Sequence, residues 1–517
     1  IFRSISFAGR VISYRDMGKA GFAHLSDGDG KIQIYCRKDE LGEVGWELYQ
    51  LLDIGDHVGV EGFMFLTKTG EKSIHVKRLV PLSKSLQTLP IGKEKDGQQW
   101  YGLEDVEQRY RHRHLDLITN PEARKALIDR AKIVSAVRRY FDGAGYLEVE
   151  TPLLQVVAGG AAARPFTTHY NAYDMEVKLR ISLELYLKRL ICGDIPAVYE
   201  IGRVFRNEGI SNRHNPEFTL LEFYEAYTNL EGMMRRVEDM FRSVADAIGM
   251  EQKFTRSVLN FSPGSFVVPE GTSSMEIAQQ MPRERAIEIE IDLTGEWQRI
   301  DLLDEVARIL SCTRADLIQA MEHLDDLKAL VVAGVEKLPS STRSIDLSNR
   351  YAQRKAADGH YGITTISGLG MINLNKEDSV GGLLEKLLET FLEPYLLAPT
   401  FVVGYPIETS PLAKKDPKNP RMTRRFEGYI LGREICNAFS EINDPIDQKE
   451  RFEQQATEIA KGDDEAHPYD EEFLYALEGG MPPTGGCGIG MERLAMVLTG
   501  SDHIREIMFF PMMKPRD

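Results

Sequence analysis

The chain has 517 residues, of which 42% are hydrophobic and 27% charged, a balance typical of a soluble globular protein. This length predicts two or three domains, because single hydrophobic cores stop growing at about 250–300 residues. A net charge of −16 argues against a protein held to nucleic acid by a general positive field, so any nucleic-acid site is expected to be local.

Cysteine spacing and hydropathy indicate the cellular compartment of the protein. The five cysteines are widely spaced, without a CxxC pair, which argues against a disulfide framework or a zinc knuckle. This pattern fits a reducing compartment, and we expect a cytoplasmic protein. No apolar run is long enough to span a bilayer and no signal-peptide pattern opens the sequence, so we expect no membrane partner.

The first 85 residues predict short strands divided by Gly-Asp, Asp-Gly and Thr-Gly turns, with a helix over residues 41–52. Four or five strands with one helix midway favour a small Greek-key barrel of the oligonucleotide-binding (OB) type. Any other small β-domain would give the same pattern. Residues 86–120 are predicted to be a linker. Its basic segment RYRHRHLDLI could contact phosphate, but a structural role is favoured.

A helix is predicted from Pro121 to Tyr140, because its apolar residues recur at helical spacing after an Asn-Pro start signal. The following YLEVETPLL is predicted to be a strand interrupted by Pro152, which suits an edge or an interface. Residues 121–517 are interpreted as one α+β domain, in which 250–390 form a partly helical insertion.

The segment from Tyr199 to Tyr227 predicts a strand, a charged loop and a returning strand, because apolar residues alternate on both sides of the loop. Its arginines and carboxylates stand in surroundings apolar enough to be interior. Buried charges are costly unless they are paired or face a charged ligand. A salt-bridged surface hairpin is one interpretation, and a pocket for a polyanion beside a cation is the other.

Later segments predict a strand over 399–415, two strands over 426–444 and an acidic helix over 445–480. The glycines of GGCGIG (485–490) are predicted to lead into a helix starting near Met491, with Arg493 in its first turn. The chain contains neither GxGxxG nor GxxxxGK[ST], which excludes a Rossmann phosphate turn and a Walker loop.

Several charged residues suggest a common chemistry. Arg206 and Arg493, from different segments, could face phosphate. Glu427 and Glu434 are interpreted as lying on one strand, where they could meet Mg²⁺, a cation that prefers few carboxylates plus substrate oxygens. Three further acids stand among apolar residues and suggest a cationic substrate group: Glu184, Glu222 and Glu441.

Several motifs together carry a resemblance to a known family. RVFRNEGISNRHNPEF, GGCGIGMERL and the helix before YLEVETP resemble motifs 2, 3 and 1 of class II aminoacyl-tRNA synthetases. ELYLKRL, AGGAAARPF, PTFVVGYP and NAFSEIND are, more narrowly, similar to the lysyl-tRNA synthetases. MGKAGFAHLSDGDGKIQIYC and TKTGEKSIH resemble the anticodon-binding OB barrel of that family. The match covers almost the whole chain and is weakest over 250–390.

This resemblance implies a five-stranded OB anticodon-binding domain (1–85), a linker (86–120) and a class II catalytic domain with an antiparallel sheet flanked by helices (121–517). It implies activation of L-lysine with ATP and Mg²⁺, transfer of lysine to tRNA(Lys), and a homodimer in which Pro152 and its preceding helix belong to the contact. Glu492 departs from the family pattern, in which an Asp is usual before the motif 3 arginine.

The resemblance also assigns roles to residues. For ATP it implies Arg206, Glu208, His214, Asn215, Phe218, Glu427 and Arg493, with Arg206 and Arg493 acting on the phosphates. For lysine it implies Gly160, Glu184, Glu222, Tyr224, Asn437, Phe439 and Glu441. The metal ligands would be Glu427 and Glu434, and the anticodon-binding residues Arg15, Phe22, Gln33 and Glu71. Within the lysine set, Glu222 and Glu441 are expected to hold the ε-ammonium and Glu184 the α-amine.

Three alternatives remain at this point. An aspartyl or asparaginyl synthetase shares the fold, but it predicts basic residues where Glu222 and Glu441 stand. A paralogue that modifies a translation factor with lysine would lack the barrel. A non-catalytic RNA-binding protein on a synthetase fold would be expected to have lost the arginines or metal acids.

Overall fold

The computed structural model describes residues 4–87, 89–90, 93–95, 98–100, 103–261, 283–337, 360–365, 368–462 and 466–515. The chain forms two compact units, one made of Ile1–Lys125 with Phe509–Asp517 and the other of Ala126–Met508. None of the helices within the described ranges combines the length and apolarity needed to cross a membrane.

The first unit begins with a five-stranded barrel. In chain order its elements are β1 (Ser4–Asp16), β2 (Ala20–Ser26), β3 (Lys31–Arg37), α1 (Lys38–Gln50), β4 (His57–Leu66) and β5 (Lys72–Ser83). The barrel closes in the order β1-β2-β3-β5-β4. Every second residue of β2 is buried, as a strand with one face on a core requires. The predicted barrel is confirmed, and its helix lies where it was expected.

The helix of the barrel explains one glycine. Trp46 and Tyr49 of α1 are buried with their rings stacked at 5.1 Å. A Cβ on Gly21 would lie 2.2 Å from the Tyr49 hydroxyl, so the close approach of helix and strand requires glycine there.

The segment after the barrel contains short elements, namely β6 (Lys93–Lys95), β7 (Gln98–Trp100), α2 (Val106–Arg111) and α3 (Arg113–Thr119). Arg113 is fully buried, pairs with Asp116 at 2.7 Å, and donates to the carbonyl of Phe509 at 3.0 Å. These contacts confirm the structural role favoured for this basic segment.

The second unit is built on a nine-stranded sheet. Its first elements are α4 (Pro121–Gly143), β8 (Leu147–Glu148), β9 (Leu154–Gln155), β10 (Thr167–Tyr170), β11 (Met175–Leu179), α5 (Glu184–Cys192), β12 (Ala197–Phe205), β13 (Glu217–Ala226) and α6 (Leu230–Ala247). The helix predicted from Pro121 is confirmed, as is the hairpin around the charged loop. YLEVETPLL was predicted to be a strand interrupted by Pro152; only the short strands β8 and β9 form on the two sides of the proline, and they belong to different sheets.

Elements of the predicted insertion follow. They are β14 (Lys253–Phe261), β15 (Arg283–Asp292), β16 (Gln298–Asp301), α7 (Leu302–Ile309), α8 (Arg314–Ala320), α9 (Leu324–Lys337), β17 (His360–Thr365), β18 (Gly368–Asn373) and α10 (Val380–Leu387). A π-helical turn (Leu388–Leu392) and a 3₁₀ turn (Glu393–Tyr395) continue α10. Residues 262–282, 338–359 and 366–367 of the predicted insertion lie outside the described residues.

The last elements complete the sheet. They are β19 (Thr400–Pro406), β20 (Lys415–Asp416), β21 (Asn419–Tyr429), β22 (Glu434–Ser440), α11 (Pro445–Lys461), α12 (Glu471–Glu478), β23 (Thr484–Gly490), α13 (Met491–Thr499) and a 3₁₀ turn (Ile504–Ile507). The sheet order is β16-β19-β21-β22-β23-β13-β12-β8, with β20 added beside β21. All neighbours are antiparallel except the outer pairs β16–β19 and β12–β8.

One prediction about this region is corrected and another is confirmed. The acidic segment 445–480 forms two helices, because α11 ends at Gly462, whose φ of 104° only glycine adopts readily. The helix predicted to follow the glycine run is confirmed, since α13 begins at Met491, and the run itself (485–490) belongs to the strand β23. Glycines suit that position because a Cβ on Gly486 would lie 2.1 Å from the Glu441 carboxylate.

Candidate functional site

The hairpin β12–β13 brings the arginine of the charged loop next to an aromatic ring. Glu200 pairs with Glu222 and Val204 with Phe218 across the hairpin. Arg206, directly after β12, holds its guanidinium 5.2 Å from the centre of the Phe218 ring and donates to the Ile181 carbonyl at 3.4 Å. Burial lowers the pKa of Arg206, while the nearby charges of Glu208 and Glu434 work against that shift. The site therefore holds a half-buried cation suited to an anionic ligand.

The remaining residues of the charged loop are divided between solvent and the site. Glu208 and His214 are exposed, whereas Asn215 is buried and donates to the Glu217 carbonyl at 2.7 Å. Nδ1 of His214 lies 2.9 Å from the Ser211 hydroxyl. The loop thus presents polar groups at the rim of the same sheet.

Arg493, on the first turn of α13, bridges this loop and β22. It donates to the Glu434 carboxylate and carbonyl, each at 2.8 Å, and lies 3.1 Å from Nε2 of His214. The neighbouring Glu492 is buried, where its carboxylate accepts from Arg130 at 2.7 Å and from the Thr219 amide at 2.9 Å. Glu492 therefore ties the helix start to β13, while Arg493 points toward Glu434.

A cavity of about 330 Å³ opens beside Arg493. Its walls combine three cations with three acids, the pattern of a site for an anion with an accompanying cation. The residues around it are Arg213, His214, Glu389, Glu393, Arg433, Glu434, Arg493 and Met496.

The two candidate metal acids lie on neighbouring strands, which corrects the prediction that they share one. Glu427 belongs to β21 and Glu434 begins β22, where it pairs with Tyr429. A tight turn after Tyr429 returns the chain, so seven residues of separation bring the acids together across the hairpin. The Glu427 carboxylate accepts from Arg425 at 2.6 Å, from Tyr405 at 2.9 Å and from Tyr429.

The pKa values of Glu427 and Glu434 are shifted in opposite directions. Burial raises the pKa of Glu427 to about 7, and the charge of Glu434 adds to the rise. Burial also acts on Glu434, but the Arg493 guanidinium brings its pKa below the ordinary value. Among the described residues no cluster of three or more His, Cys, Asp or Glu side chains is placed to hold a metal. Two carboxylates with substrate oxygens suit Mg²⁺, which keeps few protein ligands.

A second group of acids is buried behind Arg206. Glu222 accepts from the Ser182 hydroxyl at 2.8 Å, the Leu183 amide at 3.0 Å and the Tyr224 hydroxyl at 3.0 Å. Burial raises the pKa of Glu222 to about 7, and the charge of Glu184 contributes. Burial likewise raises the pKa values of Glu184 and Glu441. Closely spaced buried carboxylates of this kind require cations.

One of those cations belongs to the chain itself. Lys188, four residues after Glu184 on α5, is fully buried. Its ammonium donates to Glu184 at 2.5 Å and forms an ion pair with Glu441. The sequence reasoning did not single out Lys188, although its spacing from Glu184 places the two on one helix face.

The glycine and amide predicted for the same pocket are held by side chains that the sequence reasoning missed. The Gly160 amide donates to Nε2 of the buried His467 at 2.6 Å, and Gly160 has φ of 90°. Asn437 accepts from Arg425 at 3.1 Å, and Phe439 lies with its ring 5.2 Å from the Lys188 ammonium. No local pattern marks His467, whose partner Gly160 is 307 positions away, or Arg425, which contacts Asn437 across the β21–β22 hairpin.

The four candidate anticodon residues lie on one face of the barrel. Phe22 pairs with Arg15 across β1–β2, and its ring lies 4.8 Å from that of Tyr35. Gln33 donates to Glu71 at 2.8 Å. His24, which the sequence reasoning missed, lies 2.9 Å from the same Glu71 carboxylate. Aromatic rings next to exposed hydrogen-bonding groups suit unstacked bases.

Comparison with known proteins places both units in described families. A family model for class II tRNA synthetases (D, K and N) matches residues 105–514, and a model for the OB-fold nucleic acid binding domain matches residues 5–82. Together with the closed barrel and the antiparallel sheet, these matches confirm the predicted fold class.

Curated relatives extend over nearly the whole chain. A protein of Thermoanaerobacter sp. (strain X514) named Lysine--tRNA ligase is 43% identical over 515 residues, covering 99% of this chain and 87% of the relative. Proteins with the same name from Pelotomaculum thermopropionicum and Bacillus cereus (strain B4264) are 44% identical over 515 residues and 43% over 511. They cover 100% and 99% of this chain, and each match spans 87% of the relative.

Proposed function

The chain belongs to the class II tRNA synthetases (D, K and N), and we propose that within this family it is a lysine–tRNA ligase. The proposed reaction joins L-lysine to ATP, giving lysyl-adenylate and pyrophosphate, and then transfers the lysyl group to the 3′-terminal adenosine of tRNA(Lys). The relatives named above, 43–44% identical over the whole chain, support this choice.

One observation carries the choice of amino acid. The pocket behind Arg206 holds three buried carboxylates, those of Glu184, Glu222 and Glu441. Lysine brings two ammonium groups that can pair with such acids, whereas aspartate brings a second carboxylate that they would repel. Asparagine brings an amide, which would leave an acid without a charged partner.

The proposed chemistry of activation needs no nucleophile from the protein. The carboxylate of lysine attacks the α-phosphorus of ATP, and pyrophosphate leaves in line. Arg206 neutralises charge at the α-phosphate and the substrate carboxylate, and Arg493 holds the γ-phosphate side. Phe218 offers a stacking surface to adenine. Glu208, His214 and Asn215 would complete the nucleotide site.

We propose that Glu427 and Glu434 hold Mg²⁺. The raised pKa of Glu427 and its proximity to a second acid fit this role, because a cation between the two carboxylates removes their repulsion. Bound there, Mg²⁺ would neutralise developing charge on the phosphates.

Within the amino-acid pocket, Glu222, Tyr224 and Glu441 are proposed to hold the ε-ammonium, and Glu184 with the Gly160 backbone the α-amine. Asn437 and Phe439 would line the pocket. The tRNA would be read at its anticodon by Arg15, Phe22, Gln33 and Glu71, whose groups recognise base faces and edges rather than net charge. This local recognition accommodates a chain with a net charge of −16.

We further propose a cytoplasmic homodimer. Cys36, Cys192, Cys436 and Cys487 are free thiols, as in proteins of reducing compartments. The segment with Pro152 exposes Leu147, Leu153, Leu154 and Val156, with Leu147 51% and Val156 63% exposed. Apolar side chains exposed along one short segment favour a protein contact.

Sedimentation equilibrium is expected to give twice the chain's mass, and Val156→Asp is expected to shift the protein toward monomer.

The proposal is tested by ATP–pyrophosphate exchange dependent on lysine, aspartate, asparagine and ornithine. Exchange with lysine, and weak or no exchange with the other three, is the expected result. Exchange with aspartate and none with lysine would favour an aspartyl-type enzyme, and no exchange with any amino acid would favour a non-catalytic protein.

A further inference from the structure

Lys188 is a buried cation that the proposed reaction does not use. Its side chain has no solvent exposure, and its ammonium contacts Glu184 and Glu441, two of the three acids of the pocket. The rings of Phe439 and Phe473 lie 5.2 and 5.8 Å from the ammonium. A lysine is seldom placed in such surroundings without a role for its charge, since burial of an ammonium is costly.

The charges in this pocket do not balance. Glu184, Glu222 and Glu441 can carry three negative charges, and Lys188 supplies one positive charge in direct contact with them. The nearby Arg425 is engaged by other acids, at 2.6 Å from Glu427 and 3.1 Å from Glu385. Two carboxylate charges are therefore left for a ligand to match.

The hydrogen bonds of the acids also indicate that the pocket holds more negative charge than the chain itself matches. Glu441 is paired with Lys188 through Oε2, while its buried Oε1 has no hydrogen-bond partner among the described residues. Glu222 is held by neutral donors alone, the Ser182 hydroxyl, the Leu183 amide and the Tyr224 hydroxyl. A buried carboxylate oxygen without a donor is costly, so the pocket is prepared to receive further donors.

We propose that Lys188 is a resident cation that determines specificity by leaving two carboxylate charges for the two ammonium groups of lysine. The inference rests on the proposed function. With lysine bound, three acids face three ammonium groups, and the lysine carboxylate pairs with Arg206. An amino acid with one ammonium leaves one buried carboxylate without a cation, and it is rejected for that reason.

If Lys188 has this role, Lys188→Met should change KM for lysine in opposite directions in the unsubstituted protein and in Glu441→Gln. In the otherwise unchanged protein, Lys188→Met leaves three acids facing two substrate ammonium groups, and KM for lysine is expected to rise roughly tenfold or more. In Glu441→Gln, two acids face three ammonium groups, so adding Lys188→Met restores the balance. The double variant is therefore expected to have a lower KM for lysine than Glu441→Gln alone.

A purely structural role predicts no such reversal. If Lys188 only packs against Phe439 and Phe473, its replacement raises KM for lysine in both backgrounds, and that result would overturn the inference. An unchanged KM in the Glu441→Gln background would also overturn it. KM for ATP serves as the internal control and is expected to change less than twofold in the single and double variants.

Further variants keep the test informative if Lys188→Met folds poorly. Lys188→Gln removes the charge but keeps a polar side chain, and it is expected to show the same reversal. Lys188→Arg keeps the charge and is expected to show none. Thermal unfolding of each variant reports folding. If the unsubstituted protein lacks lysine-dependent exchange, the proposed function fails; if exchange is present without the reversal, only the role of Lys188 fails.

Discussion

The proposed amino-acid pocket of the sheet and the aromatic face of the barrel both bring charged and aromatic groups together, but they do so at different depths. In the pocket, Glu222, Glu441 and Lys188 are buried and shielded from water. On the barrel, the Glu71 carboxylate is 46% exposed, and its partner His24 is 30% exposed. A charge without a partner therefore costs much free energy in the pocket and little on the barrel.

This difference in depth separates two ways of recognising a ligand. A buried charge that loses its partner costs several kcal/mol, so the pocket can reject a wrong amino acid strongly. Exposed pairs contribute about 0–1 kcal/mol each, so the barrel must combine stacking with several weak hydrogen bonds. Substitutions in the two regions should differ in size and in the step they affect.

The largest effect is expected for Arg206→Ala. Arg206 is the cation proposed to face the α-phosphate, and its loss should lower kcat for lysine-dependent pyrophosphate exchange roughly 10²–10³-fold. Arg203→Ala, on the strand that leads to Arg206, is the matched control, because Arg203 is 43% exposed and its ion pair with Glu217, at 3.5 Å, is also exposed. Equal losses in the two variants would indicate damage to the strand and would contradict the role given to Arg206.

A smaller effect, confined to lysine, is expected for Glu222→Gln. Truncating one charge of a buried ion pair should cost about 2–3 kcal/mol, or roughly 30–150-fold in KM for lysine, with little change for ATP. Steady-state exchange at varied lysine and ATP measures both constants. Glu472→Gln is the control, since the Glu472 side chain is 78% exposed. A parallel rise in KM for ATP would mean that Glu222 supports the structure and not the amino acid.

On the barrel, Phe22→Ala should weaken tRNA recognition while leaving exchange intact. Loss of one stacking surface is expected to raise KM for tRNA in aminoacylation by about 1–2 kcal/mol, or roughly 5–30-fold. Val44→Ala, at a position on α1 that is 74% exposed, should change neither activity. A fall in amino-acid activation by Phe22→Ala would show that the two regions do not act separately.

The smallest effect concerns stability and pH. Burial raises the pKa of Glu222 from 4.5 to about 7 in the folded chain, so the fold favours the protonated acid. The stability that this group contributes is complete below about pH 4.5 and is lost as pH rises through about 7. Glu222→Gln stays neutral, so its melting temperature relative to the unsubstituted protein should rise between pH 5.5 and pH 8.

This rise should be on the order of 1–2 °C for a chain of this length. Added lysine should stabilise the unsubstituted protein more at pH 8 than at pH 5.5, because its ammonium groups pair with ionised acids. A pH-independent difference between the two proteins would contradict the burial of Glu222.

Much of the fold could be predicted from sequence because strand periodicity and turn residues are local signals. The β12–β13 hairpin and the barrel follow such patterns. The strand predicted before Pro152 is shorter than expected, because only Leu147–Glu148 pairs there. The glycine run leads into the predicted helix, but its own strand β23 was not predicted, because β23 requires the space beside Glu441 and Tyr224, which periodicity does not report.

Parts of the site could not be predicted, because local sequence patterns do not report the contacts that form them. Glu427 and Glu434 were placed on one strand, because the turn between them has no Pro or Asn-Gly signal; Leu431 itself has φ of 56°. His467 contacts Gly160, which is 307 positions away, and Arg425 contacts Asn437 on the neighbouring strand of the β21–β22 hairpin. The contact between Lys188 and Glu184 could have been predicted from their helical spacing. The second partner of Lys188, Glu441, is 253 positions away and is brought near only by the sheet.

The central claim is that buried charge in the pocket recognises lysine, and norleucine tests it most directly because it keeps the aliphatic chain and lacks the ε-ammonium. The measurement is kcat/KM for pyrophosphate exchange with each amino acid. A preference for lysine of roughly 10⁴-fold or more is predicted, because norleucine leaves a buried acid unpaired. A preference below roughly 200-fold, the range that apolar contacts alone supply, would contradict the account.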